Sequence, residues 1–304
     1  MNEPMSNEHP PICDYEGSDY QQTFWDAGER EYEHRVEQVA LARLLPARGE
    51  KLLEVGAGAG RNTACYEGFQ QVILLDFSRT QLRQARAQLG SDSRYLYVAA
   101  DVYRMPFAPS VFDAATMVRT LHHMAEPQVA LQQIRQTLHT NASFVLEYAN
   151  KRNLKAIVRW LLRRQTWNPF HQEPVEFVRL NYDFHPKAVR DWLQQSGFAI
   201  DRMLTVSHFR LNILKRLIPT GILVALDSLM QHTGNWLQYT PSVFVHATAV
   251  GRDEARPELA FWRCPLCASL EMMPQEDGVL CNNCDHLWPL VDGIYEFKIP
   301  ADSD

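Results

Sequence analysis

Four cysteines near the end of the chain, Cys264, Cys267, Cys281 and Cys284, form two C-x-x-C pairs thirteen residues apart. Each pair can set two thiolates on one face of a tight knuckle, and the four together close a tetrahedral shell around zinc with no position left for a reactive water. The pattern predicts a structural Zn2+ site, with His286 close enough in sequence to be a spare ligand. A second chemical group lies far upstream. In LLEVGAGAGRN the acid Glu54 ends an apolar run, and Gly56, Gly58 and Gly60 alternate ahead of the next segment. Glycines there let the backbone turn tightly and approach a ligand to contact distance.

Such a loop serves several nucleotide-like ligands. Arg61 stands where a dinucleotide fingerprint has its third glycine, and Glu54 would repel a pyrophosphate. S-Adenosylmethionine (SAM) has no pyrophosphate and is cationic, so an acid there helps to hold it. Asp76 ends the next apolar run, where a carboxylate can accept hydrogen bonds from two ribose hydroxyls. Asp101 follows in AADVYRMPF, placed to meet the exocyclic amine of adenine, with Val102 beside the ring. One acid at a strand end is common, but three in succession after this glycine loop form a constellation. The candidate cofactor residues are Glu54, Gly56, Ala57, Gly58, Gly60, Asp76, Phe77, Asp101, Val102 and Arg119.

These residues need a scaffold that delivers successive strand ends to one edge. From Lys51 to Tyr148 short apolar runs alternate with polar segments of helical period, the pattern of βα units around a parallel sheet. KLLEVG, QVILLD, RYLYVAAD, FDAATMV and ASFVLEYA read as strands, and RTQLRQARAQL and PQVALQQIRQTL as helices. KAVRDWLQQSGF reads as a further helix ended by Gly197, and AIDRMLTV and SVFVHATAV bring the strand count to seven. Residues 151–180 and 209–240 interrupt this core with apolar and basic material, as a lid or substrate-binding insertion would.

With these motifs in hand, residues 50–150, and more loosely 20–250, resemble a class I SAM-dependent methyltransferase of the type 11 branch that includes ubiquinone and menaquinone methyltransferases. The resemblance implies an α/β, Rossmann-like seven-stranded sheet with the last strand antiparallel. It departs at HTNAS, where relatives usually carry a proline-glycine turn. The stretch CDHLWPLVDGIYEF, with Pro265 and the cysteine pairs, resembles over residues 262–299 the small zinc-ribbon family that binds and activates tRNA, ribosomal RNA and release-factor methyltransferases. There the ribbon is generally a separate chain; here it is fused. The expected organisation is a flexible tail over 1–19, a methyltransferase domain over 20–250, a linker over 251–260 and a zinc ribbon over 261–300.

Methyl transfer needs an in-line nucleophile, and a base only where the acceptor must lose a proton. The resemblance places VRTLHHM opposite the methyl group, making Arg119, His122 and His123 the candidate catalytic residues; the plainer reading is a histidine pair that starts a helix. Tyr182, Asp183 and His185 in NYDFHP are further candidates, against an Asp turn and a proline at the first helical position. Tyr20, Phe24, Trp25 and Arg30 precede the first strand, in a segment that often folds over the cofactor in the resembling family. Cys13 and Cys65 read as inert.

The 304-residue chain, 46% hydrophobic with a formal charge of −6, is expected to be a soluble cytoplasmic enzyme without a signal sequence or transmembrane segment. Its leading acceptor class is a small molecule or lipid-like compound. An RNA or translation-factor substrate gripped by the ribbon is the alternative, and a non-catalytic SAM-binding partner module a third. KRNLKAIVRWLLRR fits a solvated lid helix, an anionic membrane surface or RNA phosphates. Oligomeric state is not legible.

Overall fold

β1 (Gly49–Val55) is buried on both faces from Leu52 onward, as a parallel strand covered by helices must be. The computed structural model describes residues 9–14, 16–17, 30–253, 257 and 260–299. Ahead of β1 runs α1 (Glu31–Leu44). After it come β2 (Phe69–Asp76), α2 (Arg79–Leu89), β3 (Tyr95–Ala99), β4 (Phe112–Met117), α3 (Pro127–Thr137) and β5 (Leu138–Ala149). The first insertion holds α4 (Leu154–Leu161) and the hairpin β6 (Val175–Val178) and β7 (Asn181–Asp183). Then follow α5 (Pro186–Gln195), β8 (Phe198–Val206), α6 (Asn212–Leu217), α7 (Thr220–Met230) and β9 (Ser242–Ala249). Four short strands close the chain: β10 (Met272–Gln275), β11 (Gly278–Cys281), β12 (Leu287–Val291) and β13 (Ile294–Glu296).

The spans read as strands between Lys51 and Val250 are strands, and local chemistry sets the helix ends. Ser78 caps α2 by accepting from the Gln81 N–H at 3.3 Å, and Pro127 and Pro186 open α3 and α5, where a missing N–H costs nothing. In HTNAS no turn intervenes, because β5 begins directly after α3 and Asn141 absorbs a φ of 69°, which asparagine tolerates.

The main sheet has the order β10-β11-β12-β13-β3-β2-β1-β4-β5-β9-β8. β3, β2, β1, β4 and β5 are mutually parallel, and β9 runs antiparallel between β5 and β8. The cysteine segment, read from sequence as a module behind a linker, continues this same sheet. β13 pairs in parallel with β3 through Ile294↔Tyr97, Tyr295↔Val98 and Glu296↔Ala99, so the edge strand is covered from within the chain. Trp262 stacks between Phe107 and Phe297, with ring centroids 5.7 and 4.8 Å away, and Phe297 stacks on Trp288 at 5.3 Å. One apolar core runs from Phe144 and Met117 through Phe107 to Cys264, Cys281 and Trp288.

Both insertions leave from one edge. β5 ends at Ala149 opposite the start of β9 at Ser242, which also faces the end of β8 at Val206. α4 and α7 therefore stand at the carboxyl edge of the parallel strands, where ligands of open α/β sheets bind. Among the described residues no helix is long and apolar enough to cross a membrane.

Candidate active site

The carboxyl ends of β1 to β4 converge on a cleft holding about 1050 Å³ of empty space, open solvent at its mouth included. Glu54, Gly56, Ala57, Gly58, Asp76, Phe77, Asp101, Val102 and Arg119 line it, while Gly60 packs behind the loop against Leu89. At Gly56, with φ of 69°, a Cβ would meet Thr120 Oγ1 at 2.2 Å. At Gly58 the nearest atom to a Cβ would be Gln81 Oε1 at 3.9 Å, so this glycine keeps a ligand-sized approach open.

The three acids are each fixed by donors. Buried Glu54 accepts from Thr63 Oγ1 at 2.6 Å and Tyr66 Oη at 3.1 Å, and burial pushes its pKa up to about 7. Asp76 accepts from the N–H groups of Gly58 and Ser78, both at 2.8 Å, and burial pushes it up to about 6. Each Asp76 oxygen keeps a second lone pair for a hydroxyl. Asp101 accepts from the Tyr103 N–H at 2.9 Å and lies 2.6 Å from His9 Nε2; burial raises its pKa against both partners.

The His9 contact belongs to a segment that the sequence reading treated as loose tail. Pro11, Ile12 and Cys13 line the cleft, and Glu16 accepts from the Arg79 N–H at 2.8 Å and from Thr80 Oγ1 at 2.5 Å, at the start of α2. An acid there suits the positive end of the helix. All these partners lie far away in sequence, so local composition gave no sign of them.

Behind the cleft, Glu37 of α1 is fully buried. It accepts from Arg61 Nη2 at 2.8 Å and from Arg119 Nε at 2.8 Å, with a second Arg119 bond through Nη2. Burial alone would raise its pKa, but the two guanidinium groups outweigh it and hold the carboxyl below the usual range. Arg119 sits at φ 59°, and its N–H donates to Glu147 Oε2 at 3.0 Å. Glu147 in turn accepts from Ser242 Oγ at 2.6 Å. Two guanidinium groups thus share one carboxylate beside the glycine loop.

His123 also lines the cleft. Its Nδ1 lies 3.0 Å from the Leu180 carbonyl, which can only accept, so Nδ1 carries the hydrogen and Nε2 the lone pair. Burial lowers its pKa, keeping the ring neutral near pH 7. His122 lies against it with ring centroids 4.0 Å apart and planes tilted by 48°, lies outside the cleft lining and has no hydrogen-bond partner at Nδ1.

The sulfurs of Cys264, Cys267, Cys281 and Cys284 all lie within 4.8 Å of one another. Cys264 and Cys284 are 3.7 Å apart, and Cys267 and Cys281 3.5 Å. A tetrahedron with Zn–S of 2.3 Å has sulfur edges of ~3.8 Å, so the set fits a zinc ion. Ala268 and Asp285, each directly after a C-x-x-C pair, take φ of 58° and 54° and turn the knuckles. His286 stands outside the four-sulfur group and lies tilted against Trp288, with ring centroids 4.3 Å apart.

Comparison with known proteins bears on the glycine-loop half of the chain. Residues 53–146 match the family model of a methyltransferase domain. An O-methyltransferase, cnsE, from Penicillium expansum is 36% identical over 34% of this chain and 40% of its own length. The demethylmenaquinone methyltransferase of Clavibacter sepedonicus is 29% identical over 50% of this chain and 54% of its own. The chain thus spans about half the length of these curated relatives or less. Two solved structures share the fold. The complex between the Haloferax volcanii Trm112 methyltransferase activator and a methyltransferase covers 76% of this chain and 96% of that chain, with TM-score 0.54 and 14% identity. An S-adenosylmethionine dependent methyltransferase from Mesorhizobium loti covers 70% and 97%, with TM-score 0.51 and 21% identity.

Within the methyltransferase domain, sequence reasoning missed Arg61 as a cleft residue, and outside it Glu37 and the 9–17 segment. Only Arg61 had a local signal, as the odd residue in the glycine count. Of the other candidates, His185 serves as the cap of α5, its Nδ1 accepting from the Lys187 N–H at 3.2 Å. Asp183 is pushed up to about 6 by burial and by Glu147, with Arg210 and Lys151 opposing. Tyr20, Phe24 and Trp25 lie outside the described residues. Replacing Glu37 by Ala strands two guanidinium groups, and urea denaturation is expected to show a loss of about 3–5 kcal/mol. A loss under about 1 kcal/mol would mean that water already carries those charges.

Proposed function

We propose that the chain is a SAM-dependent methyltransferase acting on a small-molecule or lipid-like acceptor, with a structural zinc in its C-terminal ribbon. The observation that carries this is the convergence of Glu54, Asp76 and Asp101 on one glycine-lined cleft inside the matched methyltransferase domain. The named activities of the Penicillium and Clavibacter relatives support the acceptor class. Bound there, SAM would supply an electrophilic methyl group on its sulfonium.

The residues divide the work by charge. Asp76 offers acceptors to ribose hydroxyls, and Asp101 and Val102 would hold the adenine. Arg61 and Arg119 present positive charge suited to the amino-acid carboxylate, while Glu54 offsets the cofactor's own cations. Because these cations favour ionised Glu54 and Asp76, protons compete with the cofactor. Calorimetric titration is expected to show SAM affinity falling roughly tenfold or more from pH 8 to pH 5.5 as Glu54, at about 7, and Asp76, at about 6, protonate. Asp76→Ala should weaken binding by roughly 10- to 100-fold. No binding by the folded wild type would overturn the proposal.

His123 is the residue placed to take a proton from an acceptor hydroxyl. Its lowered pKa puts the acid limb of the pH–rate profile below the ordinary imidazole value of 6.5, with a plateau above it. In His123→Gln that limb should vanish together with about 10²–10⁴ of kcat. A limb that persists in the variant assigns proton removal to another group or to solvent.

The ribbon serves the cofactor side of the site in this reading. β13 braces β3, whose end leads into Asp101, and Lys298 Nζ stands 5.0 Å over the ring of Phe77. Glu296 pairs with Arg79 at 2.9 Å, at the start of α2. The Haloferax complex, where an activator accompanies a methyltransferase, supports the view that this ribbon performs an activator's role within one chain. Stripping zinc with a chelator is expected to raise the SAM dissociation constant severalfold while the acceptor KM holds. The converse result would assign the ribbon to the acceptor.

A further inference from the structure

The two insertions expose apolar side chains in a regular pattern. On α4, Leu154, Val158 and Leu161 lie at i, i+4 and i+7, on one stripe, and all face solvent. On α7, Ile222, Leu226 and Leu229 repeat that spacing and are likewise exposed, while Leu223 and Val224 take the inner face. Leu217 between them is 75% exposed and Trp236, just after α7, 83%. A soluble surface rarely carries so many large apolar groups together, and a helix that buries one face normally turns polar residues outward.

The exposed charge on α4, α6 and α7 is of one sign. Residues 151–164 hold six Lys or Arg and no acid, and residues 207–229 hold three, of which Arg210 and Lys215 pair with Glu33, and one acid, Asp227, which is buried, in a chain of net charge −6. Lys155, Arg159, Arg163, Arg164 and Arg216 are exposed, and none forms an ion pair among the described residues. Lys155 and Arg159 adjoin the apolar stripe of α4. The insertions also touch each other at the sheet edge, where the Leu154 N–H donates to the Tyr239 carbonyl at 2.8 Å and Arg152 lies over the Tyr239 ring at 5.6 Å.

We propose that α4, α6 and α7 form a docking face for an anionic lipid bilayer, their leucines entering the headgroup region and their basic residues meeting lipid phosphates. Apolar side chains flanked by lysine and arginine are the composition of an interfacial helix, whereas RNA would leave the leucines in water. The insertions that carry these helices leave the sheet where β5 and β8 end and β9 begins. The proposal goes beyond the methyl-transfer reading and does not depend on it.

Co-sedimentation of the full chain with phosphatidylcholine vesicles, with and without phosphatidylglycerol, tests it. Binding is expected only with phosphatidylglycerol, weakening at high salt. Leu161→Gln/Leu229→Gln should weaken it about tenfold or more, as two leucines lose their burial. Lys155→Glu/Arg159→Glu should do the same and remove the preference for anionic vesicles. Circular dichroism and SAM titration on each variant separate this question from folding and from the cofactor reading, and both should match wild type. Absence of vesicle binding with SAM binding intact overturns the docking face alone. So would a dimer that the double leucine variant dissolves, or RNA protection that the charge variant abolishes and the leucine variant leaves unchanged.

Discussion

Glu37 is the point on which the site depends. A carboxylate with no exposure holds Arg61, which follows the glycine loop, and Arg119, which follows β4, and so fixes two cleft walls to one helix. Removing charges from water is costly, and this cluster survives because each member has an opposite charge within hydrogen-bond reach. The helix itself is anchored from the other side. Buried Asp227 of α7 accepts from Tyr32 Oη at 2.6 Å, and Glu33 pairs with Lys215 at 3.1 Å. A rigid path therefore leads from the second insertion, through α1, to the arginines of the cleft.

The opposite end of the sheet is governed by a different constraint. β3 would be an open edge carrying the strand that ends near Asp101, and an unpaired edge both frays and invites foreign strands. β13 closes it, and the Phe297 N–H donates to the Ala99 carbonyl at 2.7 Å just beyond the pairing. Three residue pairs would be a weak bond on their own. The stacked aromatics Phe107, Trp262, Phe297 and Trp288 make it a continuation of the core, each pair worth about 0.5–1.5 kcal/mol beyond simple burial. Folding the cysteine knuckles thus feeds directly into the order of β3.

What could be read from sequence was whatever short-range pattern encodes. Short apolar runs located the strands, apolar positions three and four apart located α2 and α3, a proline stood at the first position of α5, and C-x-x-C spacing drew four sulfurs together. α1 went unread although Tyr32, Val36, Ala40 and Leu44 recur at helical spacing. Its acids hid the pattern, since Glu33 and Glu37 sit on the inner face, paired with bases distant in sequence. The His9 contact with Asp101 and the β13–β3 pairing are likewise long-range, and no local propensity distinguishes His9 or Ile294 from ordinary loop and strand residues.

The cleft acids show why such a site needs its ligand electrically as well as sterically. Glu54 and Asp76, held by neutral donors, have pKa values near 7 and near 6, so burial has left them short of positive charge. Arg61 stands near Glu54 and only partly offsets its burial, whereas Asp101 meets an imidazole directly, that of His9, from the segment whose Pro11, Ile12 and Cys13 line the cleft. A cationic ligand supplies what the protein withholds: it makes ionisation of Glu54 and Asp76 favourable and can share Asp101 with the imidazole. On the proposed SAM-binding reading, selectivity for a cation over a neutral nucleoside follows from the same burial that raises the acids, because the neutral ligand would leave their ionised forms as costly as before.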